Sequence, residues 1–560
     1  MNDQNRRLLL TVVLCMAVYT VWSYLFGPKP KPPGAPQTTA QTATPTPSGL
    51  SPSVVPAAAS ATPGTPGAAA VADVPRETTA LPRPPTRKLT LTSEKLKLVV
   101  TTDGGELESA ILLGAKFRKA AVKETAASQL ELVNPVVRPL PLATQVTAAD
   151  GKVLLGSDVG YEVVAESPRS VTLLARAPGL EVTRKLELDA ETYKLGVTVE
   201  VKSTVALDGK LTVTATGFAD PHVNSGMFSQ RSDPTQVICQ AGGKTERITG
   251  GDKTPTWDGP GPAVFAGISE QYFLTALVPE VGRSTCRIEA DARGWLKANL
   301  ETPVKLAAGG TFTQSLAFYA GPKDTEELGA VAVPLRESVD FGFWSVIANF
   351  LLVVMKFFYK VFPLHNWGIA IILLTLSVKA VTFPLQWKSM KSMQEMQRIQ
   401  PQIEELKKRL GGDTQRFNEE QMKLFKEHGV NPMGGCLPMV IQMPVWFALY
   451  TTLRVSVELY NSMFIPGWLV DLTSIDPYYI LPVAMGATML LTQILTPQPM
   501  SNPSQKTIGY VMTAVFSVMM VNLPSGLTLY IFTNNLLSIA MQMYLKRVLN
   551  ITPPAKPAAA

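Results

Sequence analysis

Lys379 stands in the stretch LLTLSVKAVTFPLQ, residues 373–386, which otherwise has the composition of a membrane span. A lysine near the centre of such a helix costs roughly 2.5–3.5 kcal/mol on insertion-based scales. Thr375, Thr382 and Gln386 lie at helical spacings from it, so the four share one face. Other apolar segments repeat the pattern: Thr488, Thr492 and Thr496 line up in one, Thr528, Asn535, Ser538 and Gln542 in another, and Gln442 lies in a third. In lipid such stripes must face one another or water. Two plainer readings stand beside this one. Hydroxyl stripes often serve only as interhelical glue, and Lys379 can snorkel toward the boundary marked by Gln386 and Lys388, about 10 Å away along the helix. Taken together, the stripes favour a hydrated cavity opening toward the cytoplasm, in which Gln442 and Asn535 supply polar company for Lys379. The chemistry on offer is solvation. No phosphate loop, nucleophile elbow or paired carboxylate accompanies it, the three histidines form no HExxH, and the four cysteines have no metal spacing. Neither catalysis nor a cofactor is expected.

The elements that must position these residues can be read along the chain. With 560 residues, 46% hydrophobic and 17% charged, the composition is that of a membrane protein. The net charge of +7 is modest, and the basic residues gather into no nucleic-acid-binding face. Arg6 and Arg7 precede an apolar run from Leu8 to Phe26 with no small-x-small cleavage site after it, so residues 1–27 read as an uncleaved anchor. Residues 28–87, rich in Pro, Ala and Thr, cannot bury a core and read as a disordered linker. From 88 to 330 apolar and polar residues alternate between Gly and Asp turns, as in VTLLARAPGLEVTRKLELD, which predicts one large β-sandwich domain. Cys239 and Cys286 share this region and can pair if it is extracytoplasmic.

Six further apolar segments follow, at about 343–362, 367–385, 432–460, 478–496, 508–523 and 525–545. If all of them span, the stretch 386–430, with nine Lys and Arg, faces outside, against the positive-inside tendency. Demoting Phe343 to Phe362, which carries Lys356, Lys360 and many aromatics, to an outer interfacial helix within residues 331–366 repairs the parity. That leaves the anchor and a five-helix core over 367–545, both termini cytoplasmic and the β domain outside. The basic stretch 386–430 reads as a helical hairpin: Ile399, Ile403, Leu406 and Leu410 form one apolar stripe, Gly411-Gly412-Asp413 turns the chain, and Phe417, Leu424 and Phe425 face back, with Pro401 expected to kink or restart the first arm. Its outer face, including Lys407, Lys408 and Arg409, is either a solvated surface or a capture surface.

The segment VNPMGGCLPMVIQMPVWFALY, Val430 to Tyr450, resembles the YidC/Oxa/Alb family of membrane-protein insertases, and PSGLTLYIFTNN and NWGIAIILLTLSVKAVTFPLQ resemble it as well. With QYFLTALVP, Gln271 to Pro279, and FYAGP, Phe318 to Pro322, the resemblance covers nearly the whole chain apart from the linker and points to members with a large periplasmic domain. It implies a polytopic α-helical membrane protein of the bacterial inner membrane, with five core helices around a hydrophilic groove that is closed outside and open to lipid and cytoplasm. It also implies a periplasmic all-β supersandwich of sugar-mutarotase type, although His222, the one histidine in that domain, makes sugar chemistry there improbable. The family's groove charge, usually arginine, falls on Lys379, which keeps the charge and loses the bidentate fork. The groove's polar lining falls on Thr375, Thr382, Gln442, Thr528, Asn535 and Ser538. Client-contacting positions fall on Thr375, Trp446, Met485, Met519, Tyr530 and Ile531, the last often tyrosine in relatives. The tail 546–560 lacks the long basic ribosome-binding extension of some relatives, so ribosome contact is expected to be transient. The implied function is insertion and chaperoning of nascent membrane proteins, alone or with the Sec translocon and its accessory subunits. Two alternatives differ in class. A secondary transporter would carry inverted repeats and intramembrane acids, and neither is found. A periplasmic scaffold would need far fewer polar-striped spans.

Overall fold

The computed structural model describes residues 84–117, 129–220, 235–249, 255–280, 282–410, 413–429, 437–495 and 503–548. The expected anchor, the linker up to residue 83, His222, the Gly411-Gly412 turn, Thr496 and the end of the tail lie outside the described residues.

Alternation builds the first part. Along Lys194–Ser203, Leu195, Val197, Val199 and Val201 point inward at 0–1% exposure while the residues between them are part-exposed, as period two requires. A nine-stranded sheet has Phe273–Pro279, Thr311–Pro322, Lys194–Ser203 and Leu180–Leu188 side by side at its centre. A six-stranded sheet is built around Leu207–Phe218 and Trp295–Leu306, paired antiparallel in a register that includes Leu207↔Leu306 and Phe218↔Trp295. A third, four-stranded sheet begins with Lys88–Thr92. The two large sheets pack closely: a Cβ at Gly217 would meet the Ile268 side chain at 2.6 Å, which is why that strand carries a glycine there. Cys239 and Cys286 are disulfide-bonded and staple strand Gln236–Ala241 of the nine-stranded sheet to Thr285–Ala290 of the six-stranded one.

Helices follow. α1 (Thr325–Val331) is capped by Asp324, whose carboxylate accepts from the Glu326 amide. α2 (Ser345–Val361) buries Ala348, Leu351, Leu352 and Met355 and leaves Phe343, just before it, and Val346, Phe350, Val353 and Phe357 outward. Its start abuts Arg247 of the β domain around a shared cavity, and near its end Lys360 pairs with Glu326 of α1 at 3.7 Å. α3 (Trp367–Leu410) and α4 (Thr414–Glu427) come next, then α5 (Leu437–Val455), α6 (Ile480–Leu495), α7 (Pro503–Met519) and α8 (Ser525–Val548). Both Gly342–Val361 and Trp367–Ser389 are long and apolar enough to cross a membrane.

α3 corrects one half of an expectation: the first arm does not restart at Pro401. It runs through Pro384 and Pro401 without a break for 44 residues, so the span and the first arm of the hairpin are a single helix of about 66 Å. A proline removes one backbone bond, and tertiary packing covers that loss here. Met396, Ile399 and Ile403 form a small core with Phe425, supported by Phe417 and Leu424 of the returning arm. Asp413 caps α4 by accepting from the Gln415 and Arg416 amides at 3.2 and 3.1 Å.

Candidate functional site

Three helices converge on the opening lysine. Lys379 Nζ of α3 donates to Ser538 Oγ of α8 at 2.8 Å, and the Ser538 hydroxyl donates in turn to the Asn534 carbonyl at 2.8 Å. Gln442 of α5 donates from Nε2 to Asn534 Oδ1 at 3.3 Å. The polar company of Lys379 is therefore Ser538 and, one bond further, Asn534. Asn535, expected in that role, has a buried Nδ2 with no hydrogen-bond partner.

The threonine stripe is largely self-satisfied. Thr375, 1% exposed, donates to the Ile371 carbonyl at 2.7 Å, Thr382 donates to Val378 at 2.9 Å, and Thr528 donates to Pro524 at 3.2 Å. Such bonds to the preceding turn let a hydroxyl sit among apolar neighbours without water. Gln386 Nε2 extends the chain by donating to Thr382 Oγ1 at 3.2 Å. The α6 stripe behaves alike, Thr488 donating to Met485 and Thr492 to Thr488.

The candidate client contacts divide. Trp446 is half-buried and stacks on Tyr450 with ring centres 6.0 Å apart. Met485, Tyr530 and Ile531 are buried in the helical core at 0%, 2% and 7% exposure, so contact with a client there requires neighbouring helices to part. The Met519 side chain lies outside the described residues. Lys407, Lys408 and Arg409 are exposed on the last turn of α3.

The end of the bundle nearest the β domain is closed by residues 456–479. Asp476, 1% exposed, accepts from Trp468 Nε1 at 2.8 Å and from the Leu481 amide at 2.7 Å, which fixes the start of α6. Asp471 collects the Asn461 and Thr473 amides, and Ser525, at the start of α8, donates to the Ser474 carbonyl at 2.8 Å. Sequence reasoning passed over one buried pair at this end. Lys356 of α2 meets Glu458 at 2.7 Å, with Asp324 3.8 Å from the same amine. A lone acid just past the apolar run of α5 and a lysine inside α2 were its only signal.

A bundle of apolar helices with the Lys379 amine set among hydroxyls and amides, joined to an all-β domain, is the architecture of a helical membrane protein with a large β domain. Residues 357–552 match the 60Kd inner membrane protein family, and residues 88–354 match the YidC periplasmic domain. The chain is 37% identical over 563 residues to a membrane protein insertase YidC of Anaeromyxobacter dehalogenans strain 2CP-C, covering 98% of each chain. It is 32% identical over 574 residues to that of Syntrophus aciditrophicus, covering 97% of this chain and 99% of the other. A crystal structure of an active YidC insertase aligns over 82% of this chain and 92% of its own at 19% identity, with a TM-score of 0.36. The chain belongs to the YidC family of membrane protein insertases, bacterial inner-membrane proteins with a periplasmic domain.

Proposed function

We propose that the bundle takes hydrophobic segments of nascent membrane proteins from the cytoplasmic side and passes them laterally into the inner membrane, as insertase and chaperone, alone or beside the Sec translocon and its accessory subunits. One observation carries this reading: an ammonium at Lys379, bonded to Ser538 at 2.8 Å, kept in an apolar bundle about 18 Å along α3 from its outer end. A polar client segment drawn into hydrocarbon loses its hydrogen bonds, at several kcal/mol for each unsatisfied group. Lys379, Ser538, Asn534 and Gln442 offer replacements on three helices, so the barrier falls while the apolar client helix partitions into lipid.

In this reading α2 lies in the outer interface, both termini are cytoplasmic, and the anchor with α3, α5, α6, α7 and α8 makes six spans. The nearness of both ends of α2 to the β domain supports the first point, because a helix crossing the bilayer carries one end away from an outer domain. The basic arms of α3 and α4 meet clients, and transiently the ribosome. Reconstituting the purified chain in liposomes with a short single-span client is the test. Expected is a client protected from added protease only in liposomes that contain the chain. A client that stays fully sensitive at matched protein density overturns the reading.

A further inference from the structure

Between the β domain and the bundle lies a further cavity. Its volume is about 210 Å³, far above the ~10–15 Å³ that one water occupies. Three cationic side chains line it: Arg247 of strand Lys244–Thr249, Lys323 just past strand Thr311–Pro322, and Arg454 of α5. Two carboxylates, Glu270 and Asp340, oppose them. Lys323 is 8% exposed and donates to Ser269 Oγ at 3.3 Å, and Arg247 donates to the Glu337 carbonyl at 2.8 Å. Burial pushes the Glu270 carboxyl up to about 7 against the pull of Lys323, so much of its opposing charge is lost near neutrality.

Ser338 adds an independent sign. It lines the cavity at 1% exposure, and its hydroxyl has no hydrogen-bond partner. Buried hydroxyls are nearly always bonded, so this one fits a ligand group in the cavity. Gly342, on the same wall, opens the 3₁₀ turn that leads into α2, and its amide donates to Asp340 Oδ1 at 2.8 Å.

What lies beside the cavity selects the anion. The Gly342 wall continues directly onto the outward face of α2, where Phe343, Val346, Phe350 and Val353 are 77%, 83%, 65% and 65% exposed. We infer that the cavity binds the phosphate headgroup of an anionic phospholipid of the outer leaflet, with acyl chains lying along this face of α2. The inference rests on α2 lying in the membrane surface.

Native mass spectrometry of the full chain, offered phosphatidylglycerol, phosphatidylcholine or inorganic phosphate, tests it. Expected is one retained phosphatidylglycerol, bound about tenfold more tightly than phosphatidylcholine, and a loss of about tenfold in Arg247→Gln and in Lys323→Gln, since each removes one charge-assisted bond. Ser338→Val should weaken retention without unfolding the domain. Arg247 is 24% exposed at its side chain, so its variant carries the test even if the buried Lys323→Gln fails to fold. Equal retention by wild type and Arg247→Gln overturns the site. So does binding of inorganic phosphate with no preference for phosphatidylglycerol, which would mark a free-anion site. A bimane at Val353→Cys, with Cys15 and Cys436 changed to Ser, reads the depth of α2 separately: quenching by shallow lipid labels with no lipid retention sinks the headgroup site alone, and deep quenching sinks the interfacial reading.

Discussion

At Lys379 the retained property is charge, because a single amine–hydroxyl bond to Ser538 needs no planar fork. Lys379→Arg should therefore keep insertion near wild type. Lys379→Ala should slow clients with acidic translocated segments by about tenfold, the equivalent of about 1.4 kcal/mol, and neutral clients less. Lys379→Glu should be worse still through like-charge repulsion. Insertion assays of the three variants at matched expression decide it, and equal activity in all of them leaves snorkelling as the account. Glu270 gives a prediction of another kind. Its carboxyl is held near 7 by burial, against an ordinary value of 4.5, so the folded chain binds a proton that the unfolded chain releases. This contribution to stability is fully present below about 4.5 and is lost as pH rises through about 7. Thermal midpoints of the solubilised chain should fall over that window, and Glu270→Gln should flatten the slope.

The elements act through two clasps. α2 is held to the bundle by Lys356–Glu458, a pair whose side chains are 16% and 6% exposed, and by the bond from Thr452 Oγ1 to the Ala348 carbonyl at 3.2 Å. Glu458→Gln leaves the lysine amine with Asp324 at 3.8 Å and the Thr325 hydroxyl at 3.4 Å, and should cost about 3 kcal/mol, the lower end for breaking a buried pair. Lys356→Met combined with Glu458→Met should recover most of that loss, which chemical denaturation in detergent can measure. The other clasp is the small core joining α3 to α4 through Ile399, Ile403 and Phe425. Because it is separate from the main helical core, removing Pro401 to Glu427 should impair client capture while α5 to α8 keep their thermal midpoint. Unchanged insertion kinetics would make the basic arms a solvated surface and nothing more.

For the molecule as a whole, the β domain is fastened to the closed end of the bundle and stands away from Lys379. Gln271 donates from Nε2 to the Arg454 carbonyl at 3.0 Å, and Tyr460 packs among Phe117, Tyr272 and Phe273 with ring centres 5.3 to 6.5 Å apart. Deleting most of residues 90–310 while keeping α1 and α2 should leave insertion largely intact. It should also lower the bundle's melting temperature, because Tyr460 loses its aromatic partners. Full loss of insertion in a deletion that still expresses and folds would give the domain a part in the reaction.

The division between β domain and helical bundle was legible because it is written in local periods. Within LEVTRKLEL, Arg184 shares the inward face with Val182 and Leu186 and is fully buried, donating to the Gly105 and Leu142 carbonyls at 2.8 and 2.9 Å. Pairing was not legible. Which residue meets Lys379, whether Gln442 turns to Asn534 or Asn535, whether Lys356 finds Glu458, and whether α3 survives Pro401 were all decided between segments distant in the chain. Neighbouring residues on a helix point about 100° apart, so a rotation of α8 by about that angle exchanges Asn534 for Asn535. A local period fixes which face of a helix is polar, but that rotation is set by how the side chains of α3, α5, α6 and α8 fill the space between them, which only the assembled bundle determines.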